Sequence, residues 1–166
     1  MENVKMTGHQ LTNEIFLSGL QKLIDLPMEI KVNSSNRYWI GKIGRLVKSS
    51  NKALAMVRND KLLRLAEKDE QNKPRVEPIV LVMKPADPIK GTPEVTETIN
   101  DEQGRPRMQY VFSEENNKKF QEEMEEQFLK EIEFPFGRIK IDLSGFPEIL
   151  TTQEMLALDK IIEWVA

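Results

Sequence analysis

The sequence predicts an α+β fold, mostly helical: a long antiparallel helix pair forms an arm with a β-hairpin tip, above a small base of two short strands plus N- and C-terminal helices. Three observations carry this expectation. Apolar residues recur at helical spacing in several segments, two of them long. Short stretches such as Met28–Val32 and Arg138–Leu143 alternate apolar and charged residues, the period of a half-buried strand. Charge is split by segment: residues 28–68 hold ten Lys/Arg against three Asp/Glu, and residues 114–133 hold three Lys against eight Glu, so the two long helices should attract. With 166 residues the chain is expected to be one domain, with its base in 10–35 and 134–166, its arm in 36–70 and 113–133, and a Pro-rich tip in 71–112.

Each element has its own signal. Ile15, Leu20, Leu23 and Ile24 form a stripe over 11–25, which Thr12 or Asn13 can cap and Leu26-Pro27 should end. Met1–Gln10 precedes it as an expected mobile segment. Asn33–Asn36 is a turn, followed by a helix whose stripe runs through Trp39, Ile43, Leu46, Val47 and Leu54. The stripe slips after Val57, which predicts a kink, stutter or short break near Arg58–Asp60, with the helix resuming to about Lys68 and its continuity through 58–60 left open. Six of the nine prolines lie between Asp69 and Arg107, so that region should hold no helix. Within it Ile79–Met83 reads as a strand with Met108–Phe112 as its antiparallel partner, and Lys84–Arg107 as a mobile excursion.

Ser113 can cap the second long helix, whose narrow stripe is Phe120, Met124 and Phe128 and which should stop before Pro135. Arg138–Leu143 is the expected partner of Met28–Val32. Thr151–Glu154 is a capping box, and Met155, Leu158, Ile162 and Val165 extend a last helix to the end of the chain.

Composition excludes several chemistries. There is no cysteine, hence no disulfide, thiolate metal site or cysteine nucleophile. A single histidine, His9, makes a Ser–His relay improbable. No cofactor or metal site is expected. The longest apolar run, Ile79–Met83, is far short of a membrane span, and the first ten residues carry no apolar signal segment, so a cytosolic protein with no membrane partner is expected.

Gly41-Lys42-Ile43-Gly44-Arg45 matches neither the phosphate loop nor the dinucleotide fingerprint, and two small residues at this spacing suit close helix packing. The glutamates of 114–133 read as a solvated helix face rather than a converging acid cluster. A second candidate surface is basic: Arg37, Lys42, Arg45, Lys48 and Lys52 could track phosphates, with Tyr38 and Trp39 for stacking. Against nucleic acid stands the net charge of −3. The first expectation is therefore a non-enzymatic protein that binds a protein partner through Ile79, Leu81, Met83, Tyr110 and Phe112, homo-oligomerisation being open. A two-stranded ribbon carrying these residues needs cover.

The order of these pieces resembles a family of small tailed-bacteriophage and prophage proteins grouped as a domain of unknown function. The likeness rests on the first helix ending at Leu26-Pro27, the basic helix running into Glu67–Pro74, the acidic helix Phe120–Lys130, the strand Arg138–Leu143 and the closing Leu150–Leu158. It covers about two thirds of the chain and leaves out Pro78–Arg107. It implies a viral origin, with a place in the virion, in its assembly or against a host factor, in the host cytoplasm or the particle. It transfers no catalytic residue.

Overall fold

The computed structural model describes residues 2–27, 32, 34–83, 95–143 and 148–165. Its elements are β1 (Lys5–Thr7), α1 (Gly8–Thr12), α2 (Glu14–Ile24), α3 (Ser34–Leu65), β2 (Val76–Pro78), β3 (Val80–Met83) and β4 (Val95–Thr98). They continue with β5 (Met108–Tyr110), α4 (Glu114–Leu129), β6 (Glu131–Glu133), β7 (Ile139–Asp142), α5 (Thr152–Leu158) and β8 (Ile162–Val165). The fold is α+β. The chain divides into two compact units, residues 1–58 with 122–166, and residues 59–121.

The first unit holds the hydrophobic core. Phe16, Leu20 and Leu23 of α2, Ile43 and Val47 of α3, and Ile141, Leu158 and Ile162 are buried together. The helix α2 starts where expected, with Asn13 Oδ1 accepting from Phe16 N–H at 3.0 Å. The preceding segment is not the mobile stretch expected from sequence. Thr7 closes a capping box with Gln10 at the start of α1, and β1 pairs antiparallel with β6, Met6 opposite Ile132. Val4 N–H donates to Phe136 O, and Phe134 N–H to Val4 O, both at 2.8 Å, which continues the pairing past the strand ends.

Four further expectations are taken up by the structure. The last helix ends at Leu158, and Ile162–Val165 is a strand parallel to β7, with Ile139 opposite Ile162. The run Ile161, Ile162, Trp164 and Val165 is β-branched or aromatic, and those side chains fit a pleated surface better than a helix. The expected partner of β7 was Met28–Val32; Met28–Lys31 fall outside the described residues, and the cross-strand ion pair is Lys140 with Glu163 at 3.5 Å. The second long helix stops before Pro135, as expected, at Leu129, and 131–133, expected within the arm, form β6. And α3 runs from Ser34 to Leu65 as one helix, so the continuity left open by the slipped stripe is settled without a break at 58–60.

Glu154 ties α5 to α2. Its carboxylate is 5% exposed and accepts from Lys22 Nζ at 2.8 Å, from Thr151 N–H at 2.8 Å and from Ser18 Oγ at 2.8 Å. The lysine bond, then the Thr151 amide and the Ser18 hydroxyl, favour the charged form over the opposing effect of burial, and lower its pKa from an ordinary 4.5 to about 2. A carboxylate whose folded pKa lies below its unfolded one stabilises the fold above the unfolded value and loses that contribution as pH falls through the folded one. Thermal melts should therefore show a fall in midpoint as pH drops from about 4.5 to about 2. In Glu154→Gln this part of the fall should be missing; an unchanged acid limb would mean that Lys22 and Thr151 do not hold the carboxylate in solution.

Candidate functional site

The second unit is built around a short sequence repeat. Asp69-Glu70-Gln71-Asn72-Lys73-Pro74-Arg75 recurs 32 residues on as Asp101-Glu102-Gln103-Gly104-Arg105-Pro106-Arg107. Both copies fold into the same turn. Asp69 Oδ1 accepts from the N–H groups of Gln71 and Lys73, each at 2.9 Å, and Asp101 Oδ1 accepts from those of Gln103 and Arg105, again at 2.9 Å. These side-chain bonds add to backbone ones, Asp69 N–H to Lys73 O and Asn72 N–H to Asp69 O in the first turn and Asp101 N–H to Arg105 O and Gly104 N–H to Asp101 O in the second, so each turn closes within itself. The turn needs a left-handed residue at its fourth position, where Asn72 has φ 61° and Gly104 φ 75°.

That position gives a prediction that separates the two copies. Asn72→Gly should be neutral or slightly stabilising, and Gly104→Ala should cost about 1 kcal/mol, the usual strain of a Cβ in this region. Amide exchange at Gln103 and Arg105 reads the second change, and equal protection in wild type and Gly104→Ala would contradict it.

Three chain segments meet beyond each turn. At the first junction Arg75 N–H donates to Glu67 O, Glu67 N–H to Val111 O and Val111 N–H to Arg75 O, at 2.8–3.0 Å. At the second, Arg107 N–H donates to Ile99 O, Ile99 N–H to Ile79 O and Ile79 N–H to Arg107 O, over the same distances. The two triangles interchange when residues 67–79 and 99–111 are exchanged. Between them β2 pairs antiparallel with β5, and the pair at its centre, Glu77 opposite Gln109, exchanges with itself. The unit thus has a local two-fold axis.

This pairing corrects the expected hairpin. The partner of Met108–Tyr110 is Val76–Pro78, whereas Val80–Met83 pairs with Val95–Thr98. The stretch expected to be a mobile excursion therefore supplies a strand and the second turn; its residues 84–94 lie outside the described ones. The register error has a physical origin. Ile79–Met83 reads as one apolar run, but the chain changes partners at Ile79, where the junction redirects it.

Residues directly opposite in an antiparallel ladder share a face. Val76 with Tyr110 and Pro78 with Met108 make one apolar face; Glu77 and Gln109 make the other, and their side chains bond each other at 3.4 Å. Val76 is 47% exposed and Met108 51%. Of the five residues expected to bind a partner, Leu81 is exposed, Ile79 and Tyr110 are half-buried, and Phe112 is half-buried and stacks on Phe120 at 5.7 Å. The backbone of Met83 lies in β3, and its side chain is outside the described residues. Val76 and Met108 were missed by sequence reasoning; the repeated Asp-Glu-Gln-x-x-Pro-Arg would have found them, since both follow its arginine directly.

The five basic residues of α3 have different employments. Arg37 donates to the carbonyls of Leu26 at 3.0 Å and Pro27 at 2.6 Å, holding the chain that leaves α2. Lys42 Nζ sits 4.7 Å above the Trp39 ring. Arg45 and Lys48 border a groove of about 540 Å³ between α2 and α3, and Lys52 is exposed. Close packing is the use of Gly44, where a Cβ would stand 2.5 Å from Ile24 Cδ1; a Cβ at Gly41 would meet only the Arg45 side chain, at 4.0 Å. His9, expected at a mobile surface, stacks on Phe128 at 5.1 Å with its Nε2 3.1 Å from Glu125.

Among the described residues no group of three or more His, Asp or Glu is placed to hold a metal ion, and no described helix is long and apolar enough to cross a membrane. No family model, no curated protein and no solved structure matches this chain.

Proposed function

We propose that this chain is a non-enzymatic protein-binding module that works through the ribbon unit. The observation behind the proposal is the apolar face of the β2–β5 ladder, where Val76 and Met108 are about half exposed beside Pro78 and Tyr110. Exposed valine, leucine or methionine singly is ordinary on a protein surface, but four apolar side chains on one face of a two-stranded ladder form a patch with a use. Two further exposed apolar strand residues, Val80 and Leu81, belong to the same unit. The resemblance to phage proteins would make the module a virion or assembly component ahead of an inhibitor of a host factor, acting in the particle or the host cytoplasm.

The experiment is a pull-down of tagged protein from nuclease-treated bacterial lysate, comparing wild type with the double variant Val76→Asp, Met108→Asp. The reading requires a stoichiometric protein band that survives nuclease and is lost in the variant, with the melting of the first unit unchanged. A band retained by the variant removes the ribbon face from consideration. Recovery of nucleic acid alone, released by salt, would instead favour the basic residues of α3.

A further inference from the structure

The groove between α2 and α3 lies wholly within the first unit and has a volume of about 540 Å³, in the range of small-molecule sites. Leu17, Leu20 and Ile24 of α2 and Val47 of α3 give it apolar walls. Gly41 and Gly44 add no side chain to it, and a Cβ at Gly41 would meet only Arg45 Nη1, at 4.0 Å. Along the α3 side run three polar residues at a spacing of three, Arg45, Lys48 and Asn51, which places them side by side on the helix surface. Arg45 and Lys48 are exposed, and among the described residues no carboxylate pairs with either; the lining itself holds no Asp or Glu. Asn51 Nδ2 donates to Leu11 O at 2.9 Å. A carbonyl oxygen only accepts, so this bond fixes which way the amide points. Asn51 Oδ1 is then a buried acceptor with no partner among the described residues, a state that costs free energy until a donor reaches it.

We infer that this groove binds a small amphiphilic acid: an apolar chain ending in a carboxylate, with a hydroxyl group beside it. The chain lies on the leucine, isoleucine and valine walls, the carboxylate sits between Arg45 and Lys48, and the hydroxyl donates to Asn51 Oδ1. Each part of the ligand answers a separate observation. The apolar walls favour a hydrocarbon body over a bare phosphate or a nucleic-acid backbone, which would leave them uncovered. Two cations with no carboxylate of their own select an anion and repel an amine. A plain fatty acid would satisfy the walls and the cations but leave Asn51 Oδ1 unpaired, whereas a hydroxyl one carbon from the carboxyl group stands beside the anion as Asn51 stands beside Lys48. The groove belongs to the first unit, so this inference is independent of the protein-binding reading of the ribbon.

Titration of the full chain with β-hydroxydecanoate, decanoate, decylammonium and inorganic phosphate, read by amide NMR and calorimetry, tests this. With β-hydroxydecanoate the amides of Leu20, Gly41 and Gly44 should shift and saturate. Decanoate should bind about tenfold more weakly for want of one hydrogen bond, and decylammonium and phosphate should give no saturable shift. The double variant Arg45→Glu, Lys48→Glu changes two exposed side chains; it should weaken β-hydroxydecanoate by about tenfold or more and leave the melting midpoint unchanged. In Asn51→Leu the two acids should bind equally, a comparison within one variant that the lost bond to Leu11 does not disturb; should that variant fail to fold, the ratio of the two acids on the wild-type chain decides. No saturable shift with either acid overturns the inference. So does equal binding of the acids and decylammonium, which would mean adhesion to apolar surface alone, and so does an affinity that survives the double glutamate variant. Equal binding of the two acids to the wild-type chain overturns the hydroxy acid as ligand. Acid binding that persists in Val76→Asp, Met108→Asp while the pull-down fails would separate this groove from the ribbon face.

Discussion

Replacing Gly8 with alanine is expected to cost about 3 kcal/mol, at the upper end of what an overpacked site gives. A Cβ there would stand 2.8 Å from Phe128 Cδ1, 2.9 Å from Phe128 Cα and 3.2 Å from Phe128 O. Two of these atoms are main chain, so no rotamer change relieves the clash; α1 has to lift off α4. The contact fixes more than one helix. His9 stacks on the same Phe128, and Thr7, the cap of α1, is the last residue of β1 and lies opposite Glu131 of β6. Lifting α1 strains all of these together. Urea unfolding should show a midpoint shift equivalent to that loss, or about 10 °C in melting temperature for a chain of this size. A shift below 2 °C would mean that α1 is not seated on α4.

The second large effect is expected at the end of the chain, where the structure and the helical reading of the sequence make opposite predictions. Ile161 is 1% exposed and Val165 39% exposed. Ile161→Ala should cost about 3 kcal/mol through lost burial and the cavity left behind, and Val165→Ala under about 1 kcal/mol. A helix extended through Met155, Leu158, Ile162 and Val165 would bury Val165 and turn Ile161 away, reversing the order. Denaturation of the two variants side by side decides between them, and a larger cost at Val165 would return this segment to a helix.

What could be read in the sequence was local. The Asn13 cap of α2, the alternation of β7, the Ser113 start of α4 and the Thr151 capping box depend on residues within a turn or two of each other, and all four are observed. The α2 stripe is observed in part: Leu20 and Leu23 are buried with Phe16, whereas Ile15 and Ile24, expected beside them, are exposed. The misread elements depend on remote partners. The strands β1 and β6 have three residues each, too few for a period to show, and they are strands only because 5–7 meet 131–133. Residues 161–165 satisfy helical spacing and strand composition at once, and the parallel neighbour Ile139–Asp142 decides the matter. The pairing expected for the candidate face was misread for a related reason. Ile79 looks like part of the most apolar run, but the junction leaves it half-buried and passes the exposed role to Val76 and Met108, which stand in mixed surroundings in the sequence.

The three-way junctions also make the chain modular at a level below the domain. Ile99 N–H donates to Ile79 O at 3.0 Å, so the two ends of the segment 80–98 leave the junction side by side. Whatever is inserted between them needs only two adjacent attachment points, and its length is free to change without moving the turns or the ladder. The same holds at the other junction, where Glu67 N–H donates to Val111 O at 2.9 Å and the attached segments are α3 and α4. The repeat is therefore a splice site in protein form: one junction joins the chain ends of α3 and α4, the other those of a strand pair, and each needs only two adjacent attachment points.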